Sequence, residues 1–153
     1  MHSHGMTRRN ASATARAGVA EEEGTVAEDE RFEASRAMRR TMLGPEYVDA
    51  QTTDPNPAMR EFSDYLTSMA WGVWTRGGAL STRDRSLVVL AMTAALGRMD
   101  EFQLHVGARS RTGVSDDELD ELLFQIAAYC GAPAGVSARR SLLAVRAEEQ
   151  NEE

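Results

Sequence analysis

The sequence predicts an all-α protein, a compact bundle of five to six helices. Three observations predict it. Apolar residues recur at steps of three and four along most of the chain. Glycines, prolines and capping residues punctuate it at helix-length intervals. No stretch alternates convincingly as a strand would. The length of 153 residues fits a single domain with one sizeable core.

Residues 1–28 are small, polar and charged, and few could enter a core; they predict a disordered tail. His2 and His4 fall in that tail, where a solvated terminus outweighs chance metal binding. The structured domain is expected over residues 29–150. Residues 29–43 predict a charged amphipathic helix that stops at Gly44-Pro45. A connector follows, broken most firmly by Pro55 and Pro57. Pro57 then suits the first turn of a helix over 57–75. There Met59, Phe62, Leu66, Met69 and Val73 mark an apolar stripe, and Gly77-Gly78 marks the loop after it. Ser81 or Thr82 can cap the next helix, over 82–97, with Asp84 at the positive end of its dipole. That helix is apolar on almost every side, which predicts a central, buried element.

A helix over 99–112 ends at Gly113, a natural C′ glycine. Ser115 and Glu118 have capping-box spacing and open a helix with Leu119, Leu122, Leu123, Ile126 and Cys130 on one face. Cys130 there reads as a structural thiol rather than a nucleophile. After Gly131, Pro133 opens a last helix to about Arg146, before an acidic, solvated end.

Bulk composition narrows the function classes. A net charge of −7 argues against a nucleic-acid partner. No apolar run approaches the roughly 18 residues that span a bilayer, and the first residues lack the apolar core of a signal peptide. The single cysteine cannot form an internal disulfide or a redox pair. A cytoplasmic location without membrane contact is the expectation. All 17 basic residues are arginine, so lysine-based chemistry is excluded.

The informative stretch is Glu101 to His105. Four residues apart on a helix, the two side chains share a face. A carboxylate beside an imidazole can fix its tautomer and raise its basicity, which suits proton transfer near neutral pH. The alternative from spacing alone is an ordinary surface pair contributing a few tenths of a kcal/mol, roughly 0.2–0.5. A metal site would need three or four ligands, and only Asp100 and Glu101 flank this histidine, so no metal is expected. Arg76, Arg83, Arg85 and Arg98 cluster around the ends of the central helix in sequence. Any of them could hold a substrate carboxylate bidentately, or simply pair with surface acids. Trp71 and Trp74 read first as core and only second as a pocket wall.

Residues 82–134 resemble the carboxymuconolactone decarboxylase family, within the alkylhydroperoxidase-D-like superfamily. Arg85-Ser86-Leu87, the Ala95-Leu96-Gly97-Arg98 segment, the Glu101/His105 spacing, Gly113-Val114-Ser115 and Tyr129-Cys130-Gly131 with Pro133 carry the likeness as a set. Segments 43–50 and 57–62 and Trp71-Gly72 fit the same pattern. The related peroxidases use a Cys-x-x-Cys pair where this chain has Arg98 and Glu101, so disulfide-based peroxide reduction is not expected.

The resemblance implies an all-α fold assembled as a homo-oligomer, a hexamer or trimer, with sites near subunit contacts. It implies a reaction without a cofactor on a small carboxylated lactone. This is the decarboxylation of 4-carboxymuconolactone to the β-ketoadipate enol-lactone in aromatic (protocatechuate) catabolism. In that reading His105 donates a proton or hydrogen-bonds the lactone oxygen, and Glu101 tunes it. Arg85 clamps a carboxylate, with Arg76 and Arg98 behind it. Two departures from the family pattern bear on substrate. The loop from Arg76 to Leu80 is one residue longer, and Ala134-Gly135-Val136 with Arg139 replaces a small-residue, amide and aromatic run. They leave open a relative that takes a different β-keto or vinylogous acid, or neutral drift. A third reading is a non-catalytic oligomeric binding protein of the same fold, against which the presence of both Glu101 and His105 weighs.

Overall fold

The structure, a computed structural model, describes the backbone of residues 7–152 and the side chains of residues 25–151. His2 and His4 lie outside the described residues. The described chain is all-helical, with no strand among those residues.

Helix α1 spans Thr7–Leu43. It starts far ahead of the expected residue 29, because the leading segment is rich in alanine, arginine and glutamate, the strong helix formers. Helix α2, Pro45–Thr52, replaces the expected connector. Pro45 sits at its first position, where a missing N–H costs nothing. Buried Val48 ties α2 down.

Helix α3 spans Pro57–Leu66 and is capped by the Asn56 side chain, which accepts from the Ala58 N–H. It runs on through a π-helical turn at Thr67–Trp71 into α4, Gly72–Thr75. The expected apolar stripe does not face the core. Met59, Phe62, Met69 and Val73 are each about half exposed, while Ser63, Thr67, Trp71 and Trp74 are buried against α1.

Helix α5 spans Thr82–Ala95, with Ser81 and Asp84 forming a full capping box. It is less central than its composition predicts. Only Ser86, Leu90 and Ala94 are buried, and Val88, Met92 and Leu96 are exposed. The helix expected over 99–112 divides into α6, Met99–Gly107, and α7, Arg109–Thr112. It ends at Gly113, whose φ of 82° is left-handed. Helix α8, Asp116–Cys130, has the predicted Ser115/Glu118 box. Cys130 is exposed rather than packed on the apolar face. Helix α9, Ala132–Glu152, runs through the acidic end. The short α2 and α7, and the division of the expected 57–75 helix into α3 and α4, account for the helices beyond the five or six expected.

Two apolar clusters result. The larger joins α5, α6, α8 and α9 through Leu90, Phe102, Val106, Leu119, Ile126 and Leu142. The smaller joins α1 to the π turn and α4 through Met42, Trp71 and Trp74, with Met38, Leu43 and Val89 at its edge. No helix among the described residues is long and apolar enough to cross a membrane.

Candidate active site

Helix α6 lies along the seam between the two clusters. Phe102 and Val106 bury into the larger one. His105 sits about 100° around the helix from each of its neighbours in sequence, and it reaches the smaller one. Its ring lies parallel to Trp74, at 6.2 Å between centroids and 1° between planes. Trp71 lies 6.1 Å from it at 26°. The indoles themselves stack at 5.5 Å. Such offset parallel contacts each contribute about 0.5–1.5 kcal/mol beyond area burial. They fix the plane of the imidazole, and among the described residues no hydrogen bond engages its nitrogens.

Burial pushes the His105 pKa down from its ordinary value, and Glu101, one turn away, partly opposes it. The imidazole is therefore neutral at pH 7 and offers one N–H donor and one acceptor. No hydrogen bond or ion pair joins Glu101 to His105 among the described residues. The exposed carboxylate acts on the ring through space. The structure thus brings Glu101 and His105 together, as the spacing predicts, and adds two tryptophans that the sequence reads first as core.

The arginines separate. All of the Arg85 guanidinium nitrogens serve α4 and the loop that follows it. Nη1 donates to Val73 O at 2.5 Å, Nη2 to Gly77 O at 2.6 Å and Nε to Leu80 O at 3.2 Å. Gly77 and Gly78 take φ of 75° and 108°, a geometry that suits glycine. Arg85 thus staples the loop that carries Arg76. Arg76 is exposed and lines an open groove between α1 and α4 with Arg31, Phe32, Ser35, Gly72 and Thr75; neither Glu101 nor His105 lines it. Arg98 is the exposed N-cap residue of α6 and makes no ion pair with Glu101. Arg83 pairs with Asp84 and Glu118. Val136 and Arg139 are exposed on α9.

Sequence reasoning missed Arg39. It lies on the inner face of α1, 4% exposed, and donates to Ser63 and Thr67 beside the π turn. The run Arg39-Arg40 in a charged helix reads as solvated. Only the small polar pair Ser63/Thr67, one turn apart, hinted that something polar would lie against that helix.

The carboxymuconolactone decarboxylase family model matches residues 60–144, which hold the π turn, both tryptophans, Glu101 and His105. The chain is 36% identical to the 4-carboxymuconolactone decarboxylase of Acinetobacter baylyi, over 72% of this chain and 83% of that one. It is 32% identical to the nitrosuccinic acid decarboxylase of Metarhizium robertsii, over 70% of this chain and 75% of that one.

Proposed function

Because this chain belongs to the carboxymuconolactone decarboxylase family, we propose that it is a cofactor-independent carboxy-lyase. Its proposed substrate is a small carboxylated lactone, with 4-carboxymuconolactone the first choice. One observation carries the reading. A neutral, half-buried imidazole is held flat on two indoles with a carboxylate one turn away.

The chemistry such a site can perform is specific. The carbon–carboxylate bond breaks, CO2 leaves, and the electron pair passes into the conjugated lactone as a dienolate. The N–H of His105 hydrogen-bonds the developing oxyanion, which costs little reorganisation in a preset geometry. Negative charge beside the ring raises its basicity, so His105 draws a proton from water and passes it to carbon. One proton is taken up for each CO2 released. Glu101 favours the imidazolium as it forms. Arg76 and Arg98, free of ion pairs among the described residues, are the proposed holders of the substrate carboxylates, and Arg85 sets the Arg76 loop. The proposed catalytic unit is residues 29–150, working in the cytoplasm.

The exposed apolar stripe of α3 and α4, together with the exposed Val88 and Met92 of α5 and Phe124 and Tyr129 of α8, supports a homo-oligomer, hexameric or trimeric.

The relative named for nitrosuccinic acid favours a second reading, a short acid whose carboxylate leaves its electrons on a nitro group. The site requirement is the same, an electron sink beside the leaving carboxylate. Ultraviolet absorbance and CO2 release on freshly generated 4-carboxymuconolactone, then on nitrosuccinate, test both. Rapid release by wild type and not by His105→Asn is expected. Full turnover by His105→Asn would sink the assignment, and no turnover of either acid would sink both substrates.

A further inference from the structure

The proposed reaction leaves Arg39 without a role, and its surroundings are unusual. An arginine only 4% exposed normally sets its guanidinium against a carboxylate, because burying a charge is costly. No acid pairs with Arg39 among the described residues. Instead Nη1 donates to Ser63 O at 3.3 Å, Ser63 Oγ at 3.0 Å and Thr67 Oγ1 at 2.8 Å, and Nη2 donates to Gln51 Oε1. Its Nε is buried without a partner. Burial lowers its pKa from the usual guanidinium value, opposed by Tyr47 and Asp64.

The acceptors matter more than the charge. Ser63 lies in the last turn of α3. Thr67 opens the π turn that ends at Trp71. The Thr67 hydroxyl also donates to Ser63 O at 2.8 Å, so one carbonyl receives both groups. A π turn holds one residue more than an α turn. It rotates everything after it by about 100° relative to an unbroken α-helix. Trp71 and Trp74 come after it, and they are the residues that stack on His105. Such turns are rare and persist where their surroundings hold them.

We propose that Arg39 is a positioning residue. It clamps the Ser63–Thr67 turn of α3 and so sets the π-helical register that presents Trp71 and Trp74 to His105. α1 then contributes to the site without touching substrate. Its effect on turnover rests on the decarboxylase reading; its effect on the indoles does not.

Both tryptophans of the chain belong to this stack, so tryptophan emission, excited on the red edge where tyrosine does not absorb, reports on the site alone. The test compares full-length wild type with Arg39→Lys, which keeps the charge and loses the planar fork, and Thr67→Val, which loses one acceptor at near-constant volume. Far-UV circular dichroism establishes that each variant folds. If Arg39→Lys does not, Thr67→Val decides. Expected are a red shift of emission and a fall in kcat of about tenfold or more, with KM within about twofold, since small misplacements near a reacting group can cost up to about 100-fold. A folded Thr67→Val with wild-type emission overturns the clamp. With an active wild type, emission that moves while kcat stays also overturns it. If wild type turns over neither acid but emission still shifts, the decarboxylase reading fails and the clamp stands.

Discussion

Gly135 lies in the first turns of α9, where that helix crosses α8. A Cβ added there would stand 2.7 Å from Ala127 Cβ, 3.0 Å from Ala127 Cα and 3.3 Å from Ala127 N. Two of those atoms are backbone, so no side-chain rotation relieves the contact and the helices must move apart. Overpacking by one methyl costs about 1–3 kcal/mol, and a backbone clash belongs near the top of that range. Alanine returns up to about 1 kcal/mol through helix propensity. Gly135→Ala should therefore lose about 2 kcal/mol. With a urea slope of roughly 2 kcal/mol per molar, the midpoint falls by about 1 M. The assay is urea unfolding followed by far-UV circular dichroism at one fixed protein concentration, because assembly shifts apparent stability. Adding Ala127→Gly to Gly135→Ala should restore part of the loss, although Ala127→Gly alone costs about 1 kcal/mol. If Gly135→Ala raised the midpoint, propensity would outweigh the crossing and the close α8–α9 approach would be refuted.

Burial holds the His105 pKa below its ordinary 6.5. The unfolded chain then takes up that proton at higher pH than the folded chain, so the stability tied to His105 is full above about 6.5 and is lost as pH falls through the folded value. Urea midpoints from pH 7.5 to 5 should decline in wild type and decline less in His105→Asn; parallel curves would contradict the burial. Glu149, held low by its hydrogen bonds from Arg109, adds a separate slope at lower pH. Arg85→Met removes three hydrogen bonds to carbonyls and should cost about 1–2 kcal/mol. Trypsin should then cut faster after Arg76, and an unchanged rate would argue against the staple. Phe62→Glu places a charge in the exposed apolar stripe and, if the proposed homo-oligomer uses that face, should lower the mass measured by light scattering, with helix content kept; an unaltered mass would remove that face from the proposed assembly.

The elements legible in the sequence were those with local causes. The Ser115/Glu118 box formed, and Ser81 capped α5 with Asp84 closing a second box, because a short side chain three residues ahead of a carboxylate meets the free N–H groups of its own helix. The Glu101/His105 pair was legible because it needs only helical spacing. What failed depended on a neighbour. Met59, Phe62, Met69 and Val73 have the period of a core stripe, yet α1 packs a quarter-turn away, against Ser63 and Thr67. Nothing local distinguishes a stripe that meets its own core from one that meets solvent or another subunit. The resemblance implies a substrate clamp at Arg85; its reach to the carbonyls of Val73, Gly77 and Leu80 follows from a turn geometry that sequence does not encode locally.

The seam beneath His105 has a consequence for how the molecule comes apart. One wall is the α1–α4 layer with its tryptophan cluster, and the other is the α5–α9 layer with the larger cluster. Layers with separate cores can open below the free energy of global unfolding. Partial opening would separate the imidazole from the indoles while most helical hydrogen bonds survive. Catalysis should then be extinguished in denaturant before ellipticity declines, and amides of α3 and α4 should exchange with deuterium earlier than those around Leu90 and Phe102.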